Sequence, residues 1–157
     1  VGPSQNRTPA APPPSGPEYL LVDGYNVIFA WDELKKIAAE NLDAARRRLM
    51  DILCNYAGYR KCVPILVFDA YRVKGAGREQ ETWHNLHVIY TREAETGNMV
   101  IERATHELAK NHRVRVVSSD GAEQIIILGN GALRVSARAF EREVRAVEAE
   151  IREFLDQ

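Results

Sequence analysis

Cysteine is scarce in this sequence: Cys54 and Cys62 are the only two among 157 residues. They are not in CxxC spacing, so neither a disulfide framework nor a thiolate zinc site is readable, and a reducing, cytoplasmic setting is the default expectation. Long apolar runs are missing as well. Nothing approaches the ~18–20 residues that cross a bilayer, and residues 1–18 contain no apolar stretch of the kind a secretory signal needs. Charge of one sign is not in excess: 21 Lys+Arg stand against 22 Asp+Glu, a net of −1. That balance argues against a nucleic-acid binder only if charge is evenly spread, and a whole-chain sum hides its distribution. Proline is nearly absent beyond the start, because six of the seven lie between Val1 and Pro17. This segment cannot build a core and reads as an extended linker over 1–17. With no Met at position 1, it leads us to expect a piece of a longer chain that is fused to an upstream domain. The folded part is then 18–157, enough for one domain without a metal or disulfide staple.

From Glu18 onward, short β-rich runs alternate with helical stretches. Tyr19–Val22 reads as a buried strand that stops at Asp23-Gly24. Leu42, Ala45, Leu49, Ile52, Leu53 and Tyr56 fall at helical spacing and predict a helix over about 41–59. Strands are expected at 65–68, 87–90, 114–117 and 133–135, and further helices over about 96–110 and 122–128 and along the C-terminus. Gly129-Asn130-Gly131 would cap the second of these. Strand alternating with helix implies a mostly parallel sheet covered on both faces, an α/β/α sandwich. Such folds gather function at the carboxyl ends of their strands.

That rule makes the acids informative. Asp23, Asp69 and Asp120 each directly follow an apolar strand or lie within three residues of its end, so a parallel sheet brings them to one edge. Three converging carboxylates repel one another unless a cation neutralises them, and hard oxygen ligands suit Mg²⁺ or Mn²⁺. Asp is also common turn chemistry, so it is the joint occurrence that points to a metal site. Glu95, Asn98 and Glu102 are spaced to share a helix face and could add a fourth donor. Competing sites lack their residues. No GxxxxGK[ST] loop is present, and Gly75-Ala76-Gly77 has no third Gly at position 80. A haloacid-type phosphatase would need an acid at position 25, which is Tyr. A phosphorelay receiver, with Asp69 as phosphoacceptor, would need a Lys where this chain has Ser136 and Arg138. His84 and His87 have no Cys partner nearby and read as surface or packing residues, and no nucleophile elbow is present.

Leu21-Val22-Asp23-Gly24-Tyr25-Asn26-Val27-Ile28 resembles the opening strand and turn of NYN domains, the YacP-like branch of the PIN-like ribonuclease superfamily. Three later blocks agree in order: Val67-Phe68-Asp69-Ala70-Tyr71, Tyr90-Thr91-Arg92-Glu93-Ala94-Glu95-Thr96, and Val117-Ser118-Ser119-Asp120 followed by Glu123-Gln124. The resemblance spans about 18–157. It implies a PIN-like three-layer α/β/α sandwich, divalent metal at an acidic carboxyl edge, and endoribonuclease activity. Some family members cut mRNA on the ribosome, and similar domains form C-terminal appendages of ribosome-binding GTPases. One departure stands out: where the family usually reads Glu-Thr-Ala-Asp, this chain has Glu95-Thr96-Gly97-Asn98. Asn98 offers a carbonyl oxygen but neither charge nor a base, which weakens metal binding and lowers or abolishes hydrolysis.

The expected catalytic set is therefore Asp23, Asn26, Asp69, Glu95, Asn98 and Asp120, with metal on Asp23, Asp69 and Asp120. Single-stranded RNA would be held by Arg72, Lys74, Arg78 and Arg92 around an adaptable loop over about 71–83, with Ser119 at the edge and Tyr71 and Trp83 for stacking. The stretch from Arg46 to Cys62 carries five cations against one acid, of which Arg46–Arg48 read as a solvated helix face. The acidic C-terminal helix offsets such basic patches in the sum. A catalytically inactive RNA- or ribosome-binding module of the same fold is the main alternative, and a receiver the remote one.

Overall fold

The computed structural model describes residues 16–69, 79–92, 95–118, 126–127 and 131–157. All but the last two positions of the expected linker lie outside them. The chain runs through β1 (Tyr19–Asp23), α1 (Gly24–Ala30), α2 (Asp32–Glu40), α3 (Leu42–Arg60), β2 (Val63–Phe68), β3 (Glu79–Trp83) and β4 (Leu86–Tyr90). It continues through α4 (Gly97–Leu108), β5 (Val114–Val117), β6 (Ile126–Ile127), β7 (Leu133–Val135) and α5 (Ala137–Leu155).

The strands form one sheet in the order β3-β4-β2-β1-β5-β7-β6. The five inner strands are parallel, and β3 and β6 pair antiparallel at the two edges. β1 sits between β2 and β5, so the chain builds outward on one side of β1 and then on the other. The carboxyl end of β1 is thus the topological switch point, where open α/β sheets leave a crevice.

The two faces are covered unequally. Leu20 and Val22 of β1 turn toward α1, α2, α3 and α5, while Leu21 turns to the other face, where α4 contributes Val100 and Ile101. The thicker layer is pinned by Trp31, fully buried between α1 and α2, whose indole N–H donates to the Ala137 carbonyl at 2.8 Å. Phe140 packs beside it and meets Tyr56 edge-on at 5.1 Å. Each such side chain, taken fully out of water, stabilises the fold by about 1.5–3 kcal/mol. Asn41 caps α3 by accepting from the Ala44 N–H at 3.1 Å, and Lys61 ends the helix in the left-handed region at φ 60°.

Strands β1, β2, β4, β5 and β7 and helices α3, α4 and α5 stand where sequence periodicity places them. The expected helix over about 122–128 is corrected in part: Ile126 and Ile127 form β6, paired with Arg134 and Leu133, and the rest of that span lies outside the described residues. A short apolar run of β-branched residues satisfies an edge strand as readily as a helical turn.

Candidate active site at the carboxyl edge

Asp23 is the last residue of β1 and also the N-cap of α1. Its carboxylate accepts from the Asn26 backbone N–H at 3.4 Å and, at 2.6 Å, from the Asn26 side-chain amide. Asn26 therefore fixes the rotamer of Asp23 rather than closing a simple turn. The helix can start directly over β2 only because residue 24 is Gly. A Cβ there would lie 2.4 Å from Phe68 Cε1 and 3.1 Å from the Val67 carbonyl oxygen.

Asp69 directly follows β2, and β2 is hydrogen-bonded to β1 with Val67 opposite Asp23. Its Oδ2 accepts from the Gly97 N–H at 2.9 Å, one of the unpaired donors in the first turn of α4. The positive end of the helix dipole favours that carboxylate charge. Two carboxylates thus emerge from adjacent strand ends, each held by an N–H of the helix beside it. β5 leaves the sheet at the same edge, with Val117 opposite Val22 and Ser118 buried beyond it. Asp120 and Ser119 follow and lie outside the described residues, as do Arg72, Lys74, Arg78 and Tyr71.

Glu95 stands elsewhere than expected. Thr96 is the N-cap of α4, its hydroxyl accepting from the Met99 N–H at 3.1 Å, so Glu95 precedes the helix and does not share a helix face with Asn98 and Glu102. Its carboxylate accepts from the Arg92 N–H at 3.2 Å and pairs with Arg103 at 3.4 Å, while Thr91 donates to its carbonyl. These bonds close the connection between β4 and α4. Asn98 is exposed in the first turn of α4, directly after the Gly97 that holds Asp69, and Arg92 is exposed in the preceding connection. Among the described residues no group of three His, Cys, Asp or Glu side chains is placed to hold a metal.

Periodicity did not reveal an aromatic row along this edge. Phe29, Tyr25, Phe68 and Tyr90 follow one another with centroids 6.4, 5.0 and 5.6 Å apart. The Tyr25 hydroxyl accepts from Arg46 at 3.1 Å, and Arg46 also pairs with Asp43 at 3.0 Å. Burial works against the Arg46 charge, but the Tyr25 hydroxyl and the Asp43 carboxylate outweigh it and raise its pKa. Burial together with Glu81 pushes the Tyr90 hydroxyl up to about 12, so it remains a neutral donor. Arg46–Arg48 are therefore not a uniformly solvated face. Arg46 is largely covered, Arg47 pairs with Asp43, and Arg48 pairs with Glu33. The signal for this row was in the DGYN block itself, where Tyr25 follows a Gly that must let an aromatic pass beneath it. Trp83, expected in an adaptable loop, is a half-exposed residue of β3. His87 is exposed as expected.

Parallel strands with acids at the carboxyl edge beside a switch point define a PIN-like α/β domain. Residues 20–157 match the YacP-like NYN domain model, and the chain belongs to that family, part of a nuclease superfamily. The curated relative "Uncharacterized protein YacP" of Bacillus subtilis (strain 168) is 42% identical over 135 residues, covering 85% of this chain and 79% of that protein. The crystal structure of Rae1 (YacP) from Bacillus subtilis superposes with a TM-score of 0.74 at 40% identity, covering 88% of this chain and 79% of that one. Its W164L mutant gives 0.72 at 39% identity, covering 87% and 80%. Among the described residues, no helix is long and apolar enough to cross a membrane.

Proposed function

We propose that this chain is a divalent-metal-dependent endoribonuclease that hydrolyses single-stranded RNA, with mRNA on the ribosome as its substrate. The observation that carries the reading is the pairing of Asp23 and Asp69 at adjacent strand ends, each oriented by an N–H of the following helix, in a chain of the YacP-like NYN family.

The donor set fits a hard cation. Both are carboxylates, hard oxygen donors, and Mg²⁺ takes one or two carboxylates while keeping several waters. Asp23 and Asp69, with Asp120 from the third strand end, would hold Mg²⁺ or Mn²⁺. When bound, the cation supplies positive charge against the scissile phosphate and makes a water more acidic. Asn26 keeps Asp23 in one rotamer, and Gly97 does the same for Asp69, so neither carboxylate has to reorganise as charge develops. Asn98, at the start of α4, offers an amide to phosphate or water but cannot take a proton. Glu95 supports the site indirectly, holding the connection that delivers Gly97 to Asp69.

Cleavage of single-stranded RNA and of ribosome-bound mRNA with Mg²⁺ or Mn²⁺ tests the reading. The chain cuts both, more slowly than Asn98→Asp, and Asp23→Asn abolishes cutting. If neither the chain nor Asn98→Asp cuts while RNA binding persists, the inactive binding module is the correct reading. Acyl-phosphate labelling of Asp69 would instead reveal a receiver.

A further inference from the structure

A groove crosses the opposite edge of the sheet, where β1, β2, β5 and β7 begin. One part encloses about 350 Å³ and is lined by four cations, Arg60, Lys61, Arg113 and Arg115, against two carboxylates, Glu18 and Glu143. A second part, about 300 Å³, shares Glu18, Arg113 and Leu133 with it and continues to His112, whose ring lies 4.7 Å from that of Tyr19.

Both carboxylates are engaged by one cation. Arg115 pairs with Glu143 at 2.7 Å and with Glu18 at 3.3 Å, and donates to the Tyr56 hydroxyl at 2.6 Å. Arg60, Lys61 and Arg113 are exposed, and none of them forms an ion pair with a carboxylate of the described residues. Arg113 donates only to the Gly16 carbonyl, at 2.8 Å. The negative end of the α3 dipole accounts for cations at Arg60 and Lys61. It does not account for Arg113, which comes from the approach to β5. The groove is thus an anion-attracting strip with the His112 ring at one end, a composition that suits a phosphate backbone with an adjoining base.

We infer that this groove is a second RNA-binding surface that grips the phosphodiester backbone away from the cleavage edge. Five residues of β1 at about 3.3 Å each separate the two edges by roughly 15 Å, so one phosphate cannot serve both. The groove anchors a longer or folded RNA while the acidic edge receives the strand to be cut. The inference rests on the reading of RNA as substrate but not on cleavage.

The test is the salt dependence of binding to a fluorescein-labelled single-stranded RNA of about 30 nucleotides, measured by anisotropy with EDTA present so that no cutting occurs. Each phosphate contact on a single strand contributes about 0.7 to the slope of log Kd against log salt, so the triple variant Arg60→Gln, Lys61→Gln, Arg113→Gln lowers the slope by about 2. Each single variant lowers it by about 0.7. In parallel, cleavage of a short oligonucleotide with Mg²⁺ stays at the wild-type rate, because the three side chains are remote from Asp23 and Asp69. An unchanged slope in the triple and single variants overturns the proposal and leaves the groove to an acidic protein surface. A lost slope in a chain that cuts nothing upholds the groove and rejects the nuclease reading, so the two failures are distinguishable. The three side chains are exposed, and wild-type thermal melting of the single variants confirms that slopes are compared between folded proteins.

Discussion

Gly24→Ala is the smallest change that strikes the site through its packing. The added Cβ would stand 2.4 Å from Phe68 Cε1 and 2.6 Å from Cδ1, against the 3.5–4.0 Å or so at which carbon atoms rest. Phe68 is fully buried and lies between Tyr25 and Tyr90, at 5.0 and 5.6 Å, so its ring has no open side to turn into. Either α1 lifts from β2 or the aromatic row shifts, and both displace the Asp23 and Asn26 pair. Overpacking of this kind costs about 1–3 kcal/mol, which in a domain of this size lowers Tm by roughly 3–10 °C. Urea unfolding of Gly24→Ala, Phe68→Leu and the double variant measures it. The midpoint falls for each single change, and the double variant is more stable than their sum by at least about 1 kcal/mol, since Leu clears the space the methyl needs. Strict additivity, or an unchanged midpoint in Gly24→Ala, would refute the claim that Gly24 is required by the approach of α1 to Phe68.

Three further outcomes follow from named contacts. Asn26→Ala removes the 2.6 Å bond that orients Asp23 and lowers RNA cleavage about 10–100-fold, the range found when a metal ligand loses its supporting partner, with Tm moved far less than in Gly24→Ala. Arg115→Ala leaves Glu18, Glu143 and Tyr56 without their shared cation and costs about 3 kcal/mol in urea unfolding, as removal of one member of a covered ion network does. Burial pushes the Cys62 thiol up to about 11 and, with Glu81, the Tyr90 hydroxyl up to about 12. Both groups lose their protons more readily when unfolded, so their contribution is complete below about pH 9 and is lost as pH rises toward 12. Unfolding midpoints across that window fall with pH. Native Cys62 reacts with a disulfide reagent at pH 8 about 10-fold more slowly than after denaturation, where its pKa returns to the usual value and the larger thiolate fraction outweighs the lower nucleophilicity.

What was legible in the sequence followed burial. β1, β2, β4 and β5 read as short apolar runs because strands covered on both faces carry apolar residues in sequence, and α3, α4 and α5 kept a helical stripe. β3 is not legible as a strand because Gln80-Glu81-Thr82-Trp83 lies exposed at the sheet's edge, and polar edges are how sheets avoid pairing with other chains. α1 was hidden by its own cap: Asp23-Gly24-Tyr25-Asn26 looks like a turn, and only the Asn26 bonds to Asp23 show that a helix begins there. That Asp23 and Asp69 share an edge is legible because topology alone brings strand ends together. The position of Glu95 depends on where α4 starts, which Thr96 decides by capping one residue later than the spacing suggested. The cations between Arg46 and Cys62 form one patch in the sequence, although α3 places them at opposite edges of the sheet. Arg46 joins the aromatic row there, and Arg60 and Lys61 join the groove. A net charge of −1 conceals that separation.

On the proposed function, Asp23 and Asp69 together hold the cation that hydrolysis requires. Manganese titration of single-stranded RNA cleavage by the chain, by Asp69→Asn and by Asn98→Asp measures this. Cleavage by the chain rises saturably with manganese, Asp69→Asn does not cut at any manganese concentration, and Asn98→Asp reaches half-activation at lower manganese. Cleavage by Asp69→Asn at the wild-type rate, or cleavage by the chain that persists in excess chelator, would contradict it.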